Sequence, residues 1–251
     1  MIEIDGSTGG GQILRTALGL SCLLNKAFFI KNIRKARPNP GLQEQHLQCV
    51  LASAKLANAE VNGAYKGSTE VYFYPKKVES KELEIKISTA GSVGLVLQSL
   101  LIVGFKYPLN VKILGGATYG KWAPSIDFID KVFGFWLRKI GMELKVEVLR
   151  HGFYPKGGAE VKVNVLPTRS YEKILIETLG SLKKIHIVCV SSKNLKRRNV
   201  LERITDTVTN EISKKFTCKI EKQLNYVETI CDGCGITVYA EKECGVVGGS
   251  L

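Results

Sequence analysis

The stretch IEIDGSTGGGQILRTALGLSCLLN, residues 2–25, carries the reading on which the fold turns. Ile2 to Ile4 reads as a short strand and Gly9-Gly10-Gly11 as a loop. Gly10 to Asn25 follows as a helix, with Ile13, Ala17, Leu20 and Leu24 recurring at helical spacing. A strand over Ala27 to Ile33 comes next, then a basic loop. A second helix runs from about Leu42 to Asn58, its face made by Leu47, Val50, Leu51, Ala54 and Ala57. Asn39 before Pro40 reads as the start of that helix, a capping side chain ahead of a residue with φ already set. Glu70 to Tyr74 closes the unit as a strand.

The same order then returns. Leu83 to Ser88 is a strand, Ser92 to Phe105 a helix, Leu109 to Leu114 a strand and Ser125 to Gly141 a helix. Leu144 to Leu149 and Ala159 to Val165 form a strand pair around a turn. Two βαβαββ units imply an α/β fold built by internal duplication, strands on one side and helix pairs on the other. After Pro167 the character changes: strands over Lys173 to Glu177 and Ser181 to Val190, a polar helix over Asn199 to Lys215, and strands over Lys219 to Leu224 and Gly235 to Ala240. This is expected to be a smaller α/β module. The basic run Lys193, Lys196, Arg197, Arg198 ahead of its helix reads as a solvated face.

The 251 residues are 45% hydrophobic and 24% charged, a composition that excludes a disordered chain. The longest apolar stretch, Val93 to Phe105, is broken by Gln98 and too short to span a bilayer, so a cytoplasmic protein without membrane contact is expected. Thirty-six Lys and Arg against 23 Asp and Glu give a formal charge of +13, which suits nucleic acid or nucleotide partners and equally a solubilising surface. Seven cysteines, an odd number with Cys22 and Cys49 inside apolar helical patterns, argue against a secreted disulfide framework. Cys231-Asp232-Gly233-Cys234 has ligand-like spacing, but no second CxxC or His pair accompanies it, and it reads as a turn.

Three constellations could carry chemistry. Gly9-Gly10-Gly11-Gln12-Ile13-Leu14-Arg15 places glycines at a helix start, where backbone amides can converge on an anion, with Arg15 in the first turn. It matches neither the GxGxxG nor the GK[ST] phosphate motif. Arg34-Lys35-Ala36-Arg37-Pro38-Asn39-Pro40 sets two arginines three residues apart in a proline-stiffened loop, with Gln45 and His46 one turn into the next helix. Guanidinium groups supply charge to a phosphate, and an amide and an imidazole orient it; taken alone His46 reads as a satisfied helix-edge histidine, and the arginines beside it shift that balance. Arg150-His151-Gly152-Phe153-Tyr154-Pro155-Lys156-Gly157-Gly158 reads by default as a structural hairpin with His151 at the surface.

Taken together, GGGQILRTAL (9–18), IRKARPNPGLQEQHL (33–47), STAGSVGLVLQ (88–98), GGATYGKWAPSID (115–127) and RHGFYPKGG (150–158) resemble the RNA 3′-terminal phosphate cyclase family, its archaeal members in particular. The resemblance implies repeated βαβαββ units, as also found in enolpyruvyl transferases, with a smaller inserted α/β domain. Residues 1–180 would form the large domain, including the first strand of a third repeat, and 181–251 the insert. It implies ATP-dependent conversion of an RNA 3′-phosphate to a 2′,3′-cyclic phosphate through a covalent enzyme-AMP and RNA(3′)pp(5′)A. By position, Arg15, Arg34, Arg37, Gln45 and His46 resemble the residues that hold the RNA phosphate. Gln98, Pro124 and Asp127 resemble the nucleotide-binding ones. RNA with a 3′-terminal phosphate and ATP are the expected partners, and a homodimer the expected association.

Two departures bear on the chemistry. Thr8 stands where members of the family usually carry a glutamate that helps to hold the divalent metal, and the loop is two residues shorter, so the ligand of the expected Mg or Mn is left open. The family's nucleophilic histidine belongs to a C-terminal repeat, expected beyond Leu251, and His46, His151 and His186 do not lie in the matching context. The alternative reading is a non-catalytic relative that binds RNA in ribosomal RNA processing.

Overall fold

The computed structural model describes residues 1–79 and 82–251, which form three four-stranded sheets. The first unit runs β1 (Ile2–Asp5), α1 (Gln12–Leu24), β2 (Phe28–Lys31), α2 (Glu44–Ala57), β3 (Glu60–Asn62) and β4 (Val71–Tyr74). Its sheet order is β1-β2-β4-β3, with β1 parallel to β2 and the other pairs antiparallel. The second unit runs β5 (Glu82–Ser92), α3 (Val93–Val103), β6 (Leu109–Ala117), a broken helical segment, β7 (Glu143–Arg150) and β8 (Glu160–Leu166). Its order, β5-β6-β8-β7, repeats the first, one parallel pair included. The duplication read from the sequence is therefore a duplication of topology.

Alternation explains the strands. Leu83, Ile85 and Ile87 on β5 and Val161, Val163 and Val165 on β8 are buried while their neighbours along each strand turn outward. They share one core with Leu14 and Leu18 of α1, Val50 and Leu56 of α2, and Val96, Leu97 and Leu100 of α3. Phe28 and Phe73, on adjacent strands, stack at 5.6 Å. Gly19 lets α1 lie directly on α3, since a Cβ there would stand 2.6 Å from the Ser99 carbonyl oxygen. That close approach also sets Arg15 beside Gln98.

Several boundaries differ from the sequence reading. The second helix starts at Glu44, not after Asn39-Pro40, because residues 33–41 close into a separate loop in which the Gly41 N–H donates to the Ile33 carbonyl at 2.8 Å. Ser125 to Gly141 is not one continuous helix: α4 (Ile126–Phe128) passes through a π-helical turn (Ile129–Phe133) into α5 (Gly134–Lys139). Arg138 holds this irregularity by donating to the Asp130 carbonyl at 2.7 Å and the Leu144 carbonyl at 3.0 Å. Lys173 to Glu177 forms no strand. Its alternation has no ladder to join, and Leu175 and Ile176 are exposed.

The third sheet comprises β9 (Leu182–Ser192), a 3₁₀ turn over Lys193–Arg198, α6 (Val200–Ser213), β10 (Lys219–Val227), β11 (Cys234–Lys242) and β12 (Val246–Ser250). Its order is β10-β9-β11-β12, and Ile185, Ile187, Cys189 and Leu201 form its own buried cluster. It joins the second unit through Tyr119, Phe153 and Val190. Cys231 to Gly233 lies in the connection between β10 and β11 and Cys234 opens β11, with Cys231 Sγ donating to the Phe153 carbonyl at 3.2 Å. All seven cysteines are free, and burial pushes the Cys22 and Cys49 thiols up to about 12 and about 11. Among the described residues no helix is long and apolar enough to cross a membrane.

Candidate functional site

The triglycine bend, the arginine loop and the start of α2 meet around one cavity of about 760 Å³. Arg15, Arg34, Arg37, Gln45 and His46 all line it, so the residues singled out for a phosphate are brought together. Its described lining holds four basic side chains, the fourth being Lys121, and no carboxylate. The α1 helix begins here at Gly11 with no capping side chain and no acidic residue in its first turn. Bare first-turn amides and the positive end of the helix dipole therefore meet the cationic side chains.

The glycines are required by contact rather than by flexibility. A Cβ on Gly11 would fall 2.1 Å from His46 Nε2 and 2.6 Å from an Arg15 guanidinium nitrogen. One on Gly10 would lie 3.1 Å from an Arg37 guanidinium nitrogen. The helix start is thus pressed directly against an imidazole and two guanidinium groups.

His46 is buried, 4% exposed, and the Gln43 N–H at the cap of α2 donates to its Nδ1 at 3.3 Å. With Nδ1 accepting, the neutral ring carries its proton on Nε2, the atom beside Gly11. Burial, aided by the charges of Arg34 and Arg15, pushes its pKa down to about 3. His46 therefore offers the cavity a neutral N–H donor at physiological pH. Gln45 is committed differently: its Oε1 accepts the Ser92 N–H at 2.9 Å and ties α2 to the start of α3, where Ser92 Oγ caps Leu95.

The three arginines have different duties. Arg15 is 7% exposed and its Nε donates to Gln98 Oε1 at 3.2 Å, which fixes the guanidinium while burial lowers its pKa. Arg34 has φ +56° and donates to the Asn39 and Gly41 carbonyls at 2.5 and 2.8 Å, so it braces the loop from within. Arg37 is exposed and lies over Gly10 with its charge turned to the cavity.

The other expected residues do not gather in this cavity. Gln98 faces a second space of about 200 Å³ between α1, α3 and Phe133, which adjoins the main cavity across Gln12 and Arg15. Pro124 borders a shallow cleft with Phe128 and Leu251. Asp127 accepts a hydrogen bond from the Tyr119 hydroxyl at 2.7 Å. His151 is not at the surface: half-buried, it meets Thr118 Oγ1 at 3.0 Å. Arg150 closes the hairpin onto the Gly158 carbonyl at 2.7 Å.

Sequence reasoning missed Gln12, Ser92, Lys121, Trp122 and Tyr154 as lining residues. Trp122 and Tyr154 are 89% and 80% exposed, and Trp122 has φ +66°, a conformation unfavourable for a bulky side chain. Both lie in blocks that carry the family resemblance, but neither exposure nor φ can be read from residue order. Among the described residues no group of three or more His, Cys, Asp and Glu could hold a metal, and Thr8 adds no carboxylate to the glycine bend.

A family model described as RNA 3′-terminal phosphate cyclase matches residues 7–236. The chain is 40% identical over 254 residues to the RNA 3′-terminal phosphate cyclase of Pyrococcus abyssi, covering 99% of this chain and 73% of that protein. The proteins of the same name in Pyrococcus furiosus and Caldivirga maquilingensis are 42% and 43% identical, with 99% and 98% of this chain and 73% and 71% of theirs covered.

Proposed function

The chain belongs to the RNA 3′-terminal phosphate cyclase family, and from that premise we propose that it acts on RNA ending in a 3′-phosphate, converting it with ATP to a 2′,3′-cyclic phosphate. The observation that carries the reading is the convergence of Arg15, Arg37 and the neutral N–H of His46 on the uncapped start of α1. A dianion fits this arrangement. Fixed guanidinium groups meet its charge, and the imidazole and helix amides orient its oxygens without titrating.

The reaction needs activation because a phosphate oxygen leaves poorly. A histidine nitrogen attacks the α-phosphorus of ATP and expels pyrophosphate. The RNA 3′-phosphate oxygen then attacks the AMP phosphorus and frees the histidine. Finally the adjacent 2′-hydroxyl attacks the 3′-phosphorus, AMP leaves, and the hydroxyl proton passes to solvent. The last step is nearly intramolecular, so the ribose itself supplies the proximity and the site need only keep the activated phosphate in line with the 2′-hydroxyl. His46 is not the nucleophile in this scheme, because its Nε2 bears the proton. Arg15 and Arg37 would hold the phosphate in line, and Gln98 would keep Arg15 aimed.

ATP is proposed to approach from the side of Gln98, Pro124 and Asp127, with Mg or Mn carried on its triphosphate. Residues 1–180 and 181–251 are proposed as the two domains. The names of the relatives do not favour the non-catalytic alternative.

The test is binding of short RNAs that differ only in a 3′-phosphate or a 3′-hydroxyl. The phosphorylated end should bind at least about tenfold more tightly, and Arg37→Ala should remove most of that difference. Equal binding of the two ends overturns the assignment.

A further inference from the structure

Trp122 and Tyr154 line the same cavity from two different loops, and both rings are open to solvent. Large aromatic side chains are seldom left bare at the mouth of a polar site without a partner to cover them. The loops that carry them share a root. The Thr118 N–H donates to the Gly152 carbonyl at 2.9 Å, and the Thr118 carbonyl accepts the Ile126 N–H at 2.8 Å. Thr118 is 1% exposed, and its hydroxyl donates to the same Gly152 carbonyl at 3.2 Å. One buried residue therefore anchors the base of the Trp122 loop and the base of the Tyr154 loop.

Both loops are also held from outside. Ser125 Oγ and Thr237 Oγ1 of β11 lie 2.7 Å apart, and Ser250 Oγ accepts the Ser125 N–H at 3.1 Å. The Gly157 N–H donates to the Phe153 carbonyl at 2.6 Å, and that carbonyl also accepts from Cys231 Sγ. Exposed rings thus stand on braced stems, which is preorganisation rather than disorder. Lys121 Nζ sits 5.3 Å from the Trp122 ring centre, which leaves the opposite face of the indole open.

We propose that Trp122 and Tyr154 form an aromatic clamp that stacks on the nucleobase of the RNA's terminal nucleotide. This rests on the cyclase reading, because the phosphate held by Arg15 and Arg37 is what places that base at the cavity mouth. Stacking engages the face shared by all four bases, and neither ring offers the paired donor and acceptor needed to read a base edge. The clamp therefore accepts any terminal base and rejects an end that has none. The other source of such a base is the adenine of ATP.

The experiment compares 3′-phosphorylated RNAs whose terminal residue is adenosine, uridine or an abasic ribose, against the unaltered protein, Trp122→Ala, Trp122→Phe and Tyr154→Ala. Adenosine and uridine ends should bind within about threefold of each other, and the abasic end about five- to tenfold more weakly. Trp122→Ala should lose about the same five- to tenfold on the natural ends and nothing further on the abasic end, while Trp122→Phe restores most of it. Both rings are exposed, so folding should be unaffected, and melting curves check that. Abasic ends that bind as well as natural ones overturn the clamp, as does a Trp122→Ala variant that loses ATP binding and keeps RNA binding. The preference for 3′-phosphate over 3′-hydroxyl is read on the same RNAs with natural ends and reports on the cyclase reading separately.

Discussion

The Cα of Gly11 faces the edge of the His46 imidazole so closely that a methyl group added there would fall 2.1 Å from Nε2. A backbone at the start of one helix thereby fixes the ring at the start of another, and both border the same cavity. Gly11→Ala should push His46 or Arg15 out of position. Affinity for a 3′-phosphorylated RNA is expected to fall at least about tenfold, and a crystal structure of the variant should show the imidazole displaced. Unchanged affinity would show that the ring does not take part.

His46 also makes a prediction about pH. Its folded pKa, about 3, lies below the ordinary 6.5, so the unfolded chain binds the extra proton first. Stability should therefore fall as pH drops from 6.5 towards 3, with a slope of up to about 1.4 kcal/mol per pH unit from this group. Urea unfolding of the protein and of His46→Gln across that window should give a shallower slope for the variant. RNA affinity should show no inflection assignable to His46 between about pH 6 and 8.

Arg34 and Arg37 should separate experimentally. Arg34 spends its hydrogen bonds on the Asn39 and Gly41 carbonyls. Arg34→Ala is expected to cost about 1 kcal/mol of stability and to weaken RNA binding through a loosened loop. Arg37→Ala should leave the melting temperature nearly unchanged while removing most of the discrimination between 3′-phosphate and 3′-hydroxyl ends. The reverse pattern would exchange their roles.

The Ser125–Thr237 contact couples the third sheet to the cavity wall. Thr237 is fully buried and stands 2.7 Å from Ser125 Oγ and 3.3 Å from the Tyr119 hydroxyl. Thr237→Val removes the hydroxyl at nearly constant volume and should cost about 1–3 kcal/mol. Hydrogen exchange should rise in residues 118–128 as well as in β11. Exchange confined to β11 would mean that the two are not coupled.

Much of the fold was legible because alternation and helical spacing are local properties. Leu83, Ile85 and Ile87 announce a strand whatever lies beside it, and the residue types of the basic loop and glycine bend marked them as candidates for an anion site. Two of the short strands were not legible in the same way. Glu60–Asn62 and Val246–Ser250 are strands only because a neighbour supplies the ladder, and Lys173 to Glu177 is none because no neighbour does.

Residue order by itself determined the repeated βαβαββ succession and set Arg34, Arg37, Gln45 and His46 together, while Arg15 joined them through the family resemblance. Only the tertiary structure decided what each of them does: that Arg34 braces while Arg37 stays free, that Gln45 joins two helices, and that Gln98, Pro124 and Asp127 lie apart. It also brought Trp122 and Tyr154 to one rim. The reason is physical. Periodicity depends on neighbours along the chain, whereas a hydrogen-bond partner, a buried pKa or two rings sharing a mouth depends on residues that only packing brings together.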